Sequence, residues 1–204
     1  MLKPLLILVA LILPTTVTAQ QTIVVVGDSL SAAYGMAQKE GWVNLLAERL
    51  KAEQRPYRVI NTSISGETSH GALARFRGII REHRPEIVII AIGANDGLRG
   101  LSLDAMKKNI AAMIEAAQAS QAEVLLAGMQ LPPNYGRRFS QRFAASFQQL
   151  ADEYNIALLP FLLKGMEKDL SLFQPDRLHP LSSAQPIILN NIWRILLPLL
   201  EESQ

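Results

Sequence analysis

The sequence predicts an α/β domain in which a five-stranded parallel sheet lies between two layers of helices, a three-layer α/β/α architecture. Three observations predict it. Short apolar runs, clearest at residues 23–26 (IVVV) and 87–92 (IVIIAI), alternate with longer stretches of helical periodicity. Such runs suit strands buried on both faces, the condition of a parallel sheet, whose right-handed crossovers then place helices on either side. No repeat, linker or low-complexity tract divides the chain into more than one unit.

Residues 1–19 carry the signature of an export signal: Lys3, an apolar run over 5–13, Pro14, and the small-residue exit Val17-Thr18-Ala19. The run falls short of the ~20 residues that span a bilayer, so cleavage near Ala19 is expected, with an uncleaved anchor as the alternative. The mature domain is then 20–204, periplasmic or secreted, with no stable membrane anchor. The chain has no cysteine, so neither a disulfide framework nor a lipoprotein acylation site is available, and the core alone must hold the fold. Of the 20 Lys and Arg residues, Lys3 lies in the leader, leaving 19 against 18 Asp and Glu. A balance so near zero is no nucleic-acid footprint. The local clusters Arg75, Arg77, Arg81, Arg84 and Arg137, Arg138 are read as solvated faces.

Residues 23–26 form the opening strand, which breaks at Gly27 into Asp28-Ser29-Leu30-Ser31. Leu45, Leu46 and Leu50 at helical spacing mark an amphipathic helix over 42–53, and 58–61 is the second strand. Leu73, Phe76, Ile79 and Ile80 mark a helix ending near Pro85, before the strand at 87–92. Met106, Ile110, Met113, Ile114 and Ala117 give the next helix, residues 124–127 the fourth strand, and 129–136 a proline-bearing loop. Phe143, Phe147, Leu150 and Tyr154 line another helix, and 156–159 is a short fifth strand. Ser182 and Ser183 are expected caps for the last helix, with Pro186 in its first turn and Ile188, Ile192, Ile195 and Leu196 facing the core.

The first three strands each end in glycine and small polar residues, and in a parallel sheet those ends share one edge, where ligands bind. Ser29 follows the first, Gly66 the second, Asn95 the third. The backbone amides of Ser29 and Gly66 with the Asn95 side chain can surround one developing oxyanion. A serine becomes a useful nucleophile only beside a base. Asp176 precedes His179 by three residues on a proline-ended turn, so its carboxylate can accept from Nδ1 and leave Nε2 free to face Ser29. Taken alone, that turn is equally readable as an Asp-capped turn with an exposed histidine. His70 and His83 are read as structural or exposed.

These blocks, Gly27-Asp28-Ser29-Leu30, Gly66, Gly93-x-Asn95-Asp96 and Asp176-x-x-His179-Pro180, resemble the four blocks of the GDSL, or SGNH, hydrolase family. Residues 95–100 (NDGLRG) and the Leu131-Pro132-x-Asn134-Tyr135-Gly136-Arg137-Arg138 segment resemble its periplasmic thioesterase I/protease I/lysophospholipase, or arylesterase, type. The resemblance covers nearly the whole mature chain. It implies a flavodoxin-like SGNH hydrolase fold, a Ser29–His179–Asp176 triad, an oxyanion hole of Ser29, Gly66 and Asn95, and no cofactor or metal. It also implies that aryl esters, short to medium acyl esters, acyl thioesters and lysophospholipids are substrates. Pro175 and Arg177 depart from the small or acidic pair expected there, which bears on loop shape and pH response.

Asp28, Asp96, Leu98, Leu131 and Tyr135 are expected to line the substrate site, with Leu101, Pro132 and Pro133 on the same apolar rim. The rim suits an acyl chain, although these side chains could equally pack within their own loops. Gly97 and Gly100 are expected to let the segment between them move over a bound chain. The competing enzymatic reading is a carbohydrate acetylesterase, which would want more aromatic platforms than Trp42 and Trp193 supply. A receiver-like binding module is the competing non-enzymatic one, weakened by the leader and by the late Asp-x-x-His. No phosphate-binding glycine motif supports nucleotide binding.

Overall fold

A computed structural model describes residues 20–202. The expected leader, residues 1–19, lies outside the described residues. Five parallel strands form one sheet: β1 (Gln21–Gly27), β2 (Tyr57–Asn61), β3 (Ile87–Ala91), β4 (Glu123–Ala127) and β5 (Ala157–Leu159), in the order β2-β1-β3-β4-β5. Because β2 and β3 lie on opposite sides of β1, the chain reverses its direction of winding there. The crevice between the carboxyl ends of β1 and β3 is therefore the switch point at which an open α/β sheet binds its ligand.

Six helices flank or cap the sheet: α1 (Trp42–Ala52), α2 (Ser69–His83), α3 (Ala94–Leu98), α4 (Leu103–Ala119), α5 (Arg137–Tyr154) and α6 (Gln185–Glu202). α1 packs with α6, while α2, α4 and α5 pack side by side in sequence, which gives the two outer layers. Between them Ile23, Val24, Val25 and Val26 of β1 and all five side chains of β3 are fully buried, which explains why these strands show no polar alternation. α2 begins at Thr68, whose hydroxyl accepts from the Gly71 amide, and α4 at Ser102, whose hydroxyl accepts from the Ala105 amide at 3.2 Å.

Three details differ from expectation. Residues 94–98, expected as loop, form the single-turn α3, which starts at the switch point and so aims Asn95 across it. Ser182 and Ser183 do not cap α6: they sit in a 3-10 turn (Ser182–Ala184) that leads straight into it. The side chain at the junction is instead Gln185, which is buried and whose Oε1 accepts from the Trp42 amide at 3.0 Å. One residue thus supplies the first amide of α1 with an acceptor from the start of α6, tying together helices far apart in sequence. Pro198, inside α6, had no counterpart in the expected pattern.

Replacing Gln185 by Ala would strand the buried Trp42 amide, at a cost of about 1–3 kcal/mol. Urea denaturation should show the midpoint falling with little change in slope.

Candidate active site

Ser29 enters the site from the turn after β1. Its loop folds back on itself, with the amides of Ser31 and Ala32 donating to the Asp28 carbonyl at 3.1 and 2.9 Å. Gly66 sits in the loop after β2 with φ +79°, a conformation that a side chain would strain. Asn95 comes from α3, and Asp176 and His179 from the long segment after β5.

The geometry joins residues that the chain holds far apart. His179 Nε2 lies 2.9 Å from Ser29 Oγ, and His179 Nδ1 lies 2.6 Å from Asp176 Oδ2. The other carboxylate oxygen of Asp176 accepts from the amides of Leu178 and His179 at 2.9 and 3.0 Å, closing the turn that presents the ring. Desolvation opposes ionisation of Asp176, but the His179 amide, the His179 ring and the Leu178 amide outweigh it and hold the carboxyl at about 2. Arg177, between the two, adopts a left-handed backbone with φ 59°, so the departure at this position coincides with a strained point of the turn.

The amides of Ser29 and Gly66 meet no protein acceptor among the described residues. Asn95 Nδ2 donates to the Glu67 carbonyl at 3.0 Å and makes a longer bond of 3.4 Å to Asp28 Oδ2. Asn95 Nδ2 thus reaches from α3 to both the Asp28 side chain after β1 and the Glu67 carbonyl after β2.

The residues expected to line the substrate divide. Asp28 is fully buried, its Oδ1 accepting from the Leu30 amide at 3.0 Å and its Oδ2 facing Asn95. Asp96 is also buried, accepting from the Ser69 amide at 2.8 Å and the Ser69 hydroxyl at 2.6 Å. Neither carboxylate has a free edge for a substrate, because each is consumed in holding a loop. Leu98, Leu131 and Tyr135 are half-buried beside α3, and the Tyr135 hydroxyl donates to the Leu98 carbonyl at 3.1 Å. Gly97 is not a hinge: a Cβ there would lie 2.7 Å from both Leu131 and Phe143, so this glycine exists for close packing. Arg75 is not merely solvated either, since its Nε donates to both oxygens of Glu67 at 2.9 and 3.2 Å and its Nη2 donates to Oε2 as well. His70 is exposed and His83 lies beside Glu82.

Residues without a sequence signal complete the site. The Tyr34 ring stacks on the His179 ring with centroids 4.4 Å apart. Gln174 Nε2 donates to the Tyr34 carbonyl at 2.9 Å and to the Pro180 carbonyl at 3.3 Å, while its amide donates to the His179 carbonyl at 2.7 Å. Gln174 thus straps the histidine loop to the serine loop. Arg99 donates to the Gly66 carbonyl at 2.8 Å and fixes the loop that carries the second amide donor. Gly35 next to Tyr34 and the nearness of Gln174 to Asp176 are the only sequence traces of the strap, and neither shows a pairing across 140 positions.

Residues 25–184 match the GDSL-like Lipase/Acylhydrolase family. Esterase TesA of Pseudomonas aeruginosa is 47% identical over 94% of this chain and 95% of its own length. Thioesterase 1/protease 1/lysophospholipase L1 of Escherichia coli is 36% identical over 89% and 86%. The psychrotrophic esterase EstA from Pseudoalteromonas sp., in a structure inhibited by monoethylphosphonate, superposes with a TM-score of 0.84 at 42% identity, covering 89% of this chain and 99% of that one.

Burial raises the Asp28 carboxyl from 3.8 to about 6, against the Leu30 amide, the field of His179 and the Asn95 amide, which act to lower it. A carboxyl raised in the folded state stabilises the fold below its unfolded value and ceases to as pH climbs through its folded value. Wild type should lose about 3 kcal/mol relative to Asp28→Asn between pH ~4 and ~6, a shift of about two units. Urea titrations of both proteins across that range measure it. Asp176 acts oppositely and in a separate window, losing its stabilisation as pH falls from ~4 towards ~2.

Proposed function

Because the chain belongs to the GDSL-like lipase/acylhydrolase family and is an ester hydrolase of that type, we propose that Ser29, His179 and Asp176 are its catalytic triad. Its proposed substrates are aryl esters, short to medium acyl esters, acyl thioesters and lysophospholipids. The observation that carries this reading is the 2.9 Å approach of His179 Nε2 to Ser29 Oγ, with Asp176 on the far nitrogen.

His179 takes the Ser29 proton as Oγ attacks the acyl carbonyl, and Asp176 holds the ring in the tautomer that accepts at Nε2. The negative oxygen that develops is bound by the amides of Ser29 and Gly66 and by Asn95 Nδ2. Asn95 keeps its shorter bond to Glu67 and exchanges the long one to Asp28 for the oxyanion. His179 then protonates the departing alcohol or thiol, and water repeats the cycle to release the acid. The acyl chain runs along Leu98, Leu131 and Tyr135. Asp28 and Asp96 act from beneath as positioning residues. In this reading residues 1–19 direct export and are removed, so the enzyme works in the periplasm or outside the cell.

Ser29→Ala should abolish turnover of p-nitrophenyl esters and labelling by a phosphonate serine probe while leaving far-UV circular dichroism unchanged. Persistent labelling would place the nucleophile elsewhere. Asn95→Ala should keep labelling but slow turnover by roughly a hundredfold to a thousandfold. A profile over acyl length should favour chains above acetyl, and stronger hydrolysis of acetylated sugars would instead support the carbohydrate reading. Gln174→Ala should lower kcat by roughly tenfold or more with KM little changed, because the strap governs the approach of base to nucleophile and not substrate affinity.

A further inference from the structure

The proposed reaction fixes where each part of a substrate must lie. The leaving oxygen has to come within hydrogen-bond distance of His179 Nε2, because the acyl C–O bond breaks with its electron pair on that oxygen and the proton taken from Ser29 passes to it. The leaving group therefore emerges beside the imidazole, whatever its own chemistry. The acyl side falls to Leu98, Leu131 and Tyr135, on segments that follow β3 and β4. What stands beside the imidazole is Tyr34, on the segment that follows β1.

The backbone of Tyr34 is held at both of its polar groups: its amide donates to the Ser29 carbonyl at 3.3 Å, and its carbonyl accepts from Gln174 Nε2 at 2.9 Å. Its ring lies 4.4 Å from the His179 ring, centroid to centroid, with 38° between the planes. The residue nevertheless remains 49% exposed, so the imidazole and the anchoring loops leave much of it open. It takes no part in the hydrophobic core. The Nε2 edge of the same imidazole faces Ser29 Oγ at 2.9 Å. Aromatic carbon thus borders the point at which the leaving oxygen is released, and a flat ring attached to that oxygen can lie against it, gaining a stacking contribution that a puckered or branched alcohol forgoes.

We propose that Tyr34 is a specificity-determining residue: its ring is the platform for the leaving group and selects esters of flat aromatic alcohols. The proposal rests on the hydrolase reading and adds to it the residue that chooses on the alcohol side. The competing role, in which the ring only steadies His179, predicts the opposite selectivity. A phenol departs with little help from an acid, whereas an alkanol must be protonated as it leaves, so a misplaced imidazole penalises alkyl esters more than aryl ones. Loss of a platform penalises aryl esters more.

The test compares phenyl butyrate with cyclohexyl butyrate, leaving groups of one ring size on one acyl chain, in wild type, Tyr34→Phe and Tyr34→Leu. The ratio of their kcat/KM values, phenyl over cyclohexyl, should be kept by Tyr34→Phe and should fall by roughly twofold to tenfold in Tyr34→Leu. Both esters give the same butyryl-enzyme, so its hydrolysis is common to them and kcat/KM reports the steps before it. Both substitutions retain the backbone bonds of residue 34, so the Gln174 strap persists in each variant. A ratio unchanged or raised in Tyr34→Leu would overturn the proposal and leave the hydrolase reading standing. A ratio that falls as far in Tyr34→Phe would overturn it too, because the ring would then not be the cause. Failure of wild type to hydrolyse either ester or p-nitrophenyl butyrate would sink the hydrolase reading, and the platform with it.

Discussion

A contact of 2.9 Å between Ser29 and His179 joins side chains 150 positions apart, and most of the architecture can be understood as what makes that contact possible. Hydroxyl and imidazole each keep many conformations in a free chain, and fixing both at hydrogen-bond distance costs entropy that the contact itself cannot recover. The rest of the fold supplies the deficit. Buried β1 sets the origin of the serine turn, the Asp176 turn sets the histidine, and Gln174, bonded twice within the histidine loop, reaches the serine loop through one bond to the Tyr34 carbonyl.

Beneath the site lies a layer of buried polar groups whose bonds decide where the site's parts stand. Asp96 accepts two bonds from Ser69, whose hydroxyl also accepts from Asn109 at 3.0 Å, so the start of α2 is locked to α3 and α4. Asp28 faces Asn95 from below and carries the consequence of its burial as a raised carboxyl near 6. A buried carboxylate is costly unless its oxygens are satisfied, and here the bonds that satisfy them also fix the turn after β1 and the start of α2. Stability and the placement of the strand-end loops are drawn from the same bonds at these two positions. The aspartates are therefore poor places to look for substrate contact, even though they stand within the motifs.

The outer surface is arranged on a different scale. Exposed apolar side chains stand on the segments at the edge of the sheet where the strands end. The core accounts for none of this, because none of these side chains adds to it.

Much was already fixed by local chemistry along the chain. The strands were legible because a parallel sheet buries both faces of each strand, and the wholly apolar runs of β1 and β3 answer to that alone. The Asp176–His179 contact and the glycine-ended loops were legible because these two residues lie three positions apart, and because every parallel strand must deliver its loop to the same edge. What tertiary structure alone decided are the pairings that leave no periodicity behind. Examples are the partnership of Gln185 with Trp42, the strap from Gln174 to Tyr34, and the burial of Asp28 and Asp96, which turned expected substrate ligands into supports. It also decided that Gly97 is a contact surface and no hinge, since that depends on Leu131 and Phe143 arriving from elsewhere. Sequence spacing reports interactions that recur within a turn or a strand, whereas a contact between distant segments depends on how whole layers settle against one another.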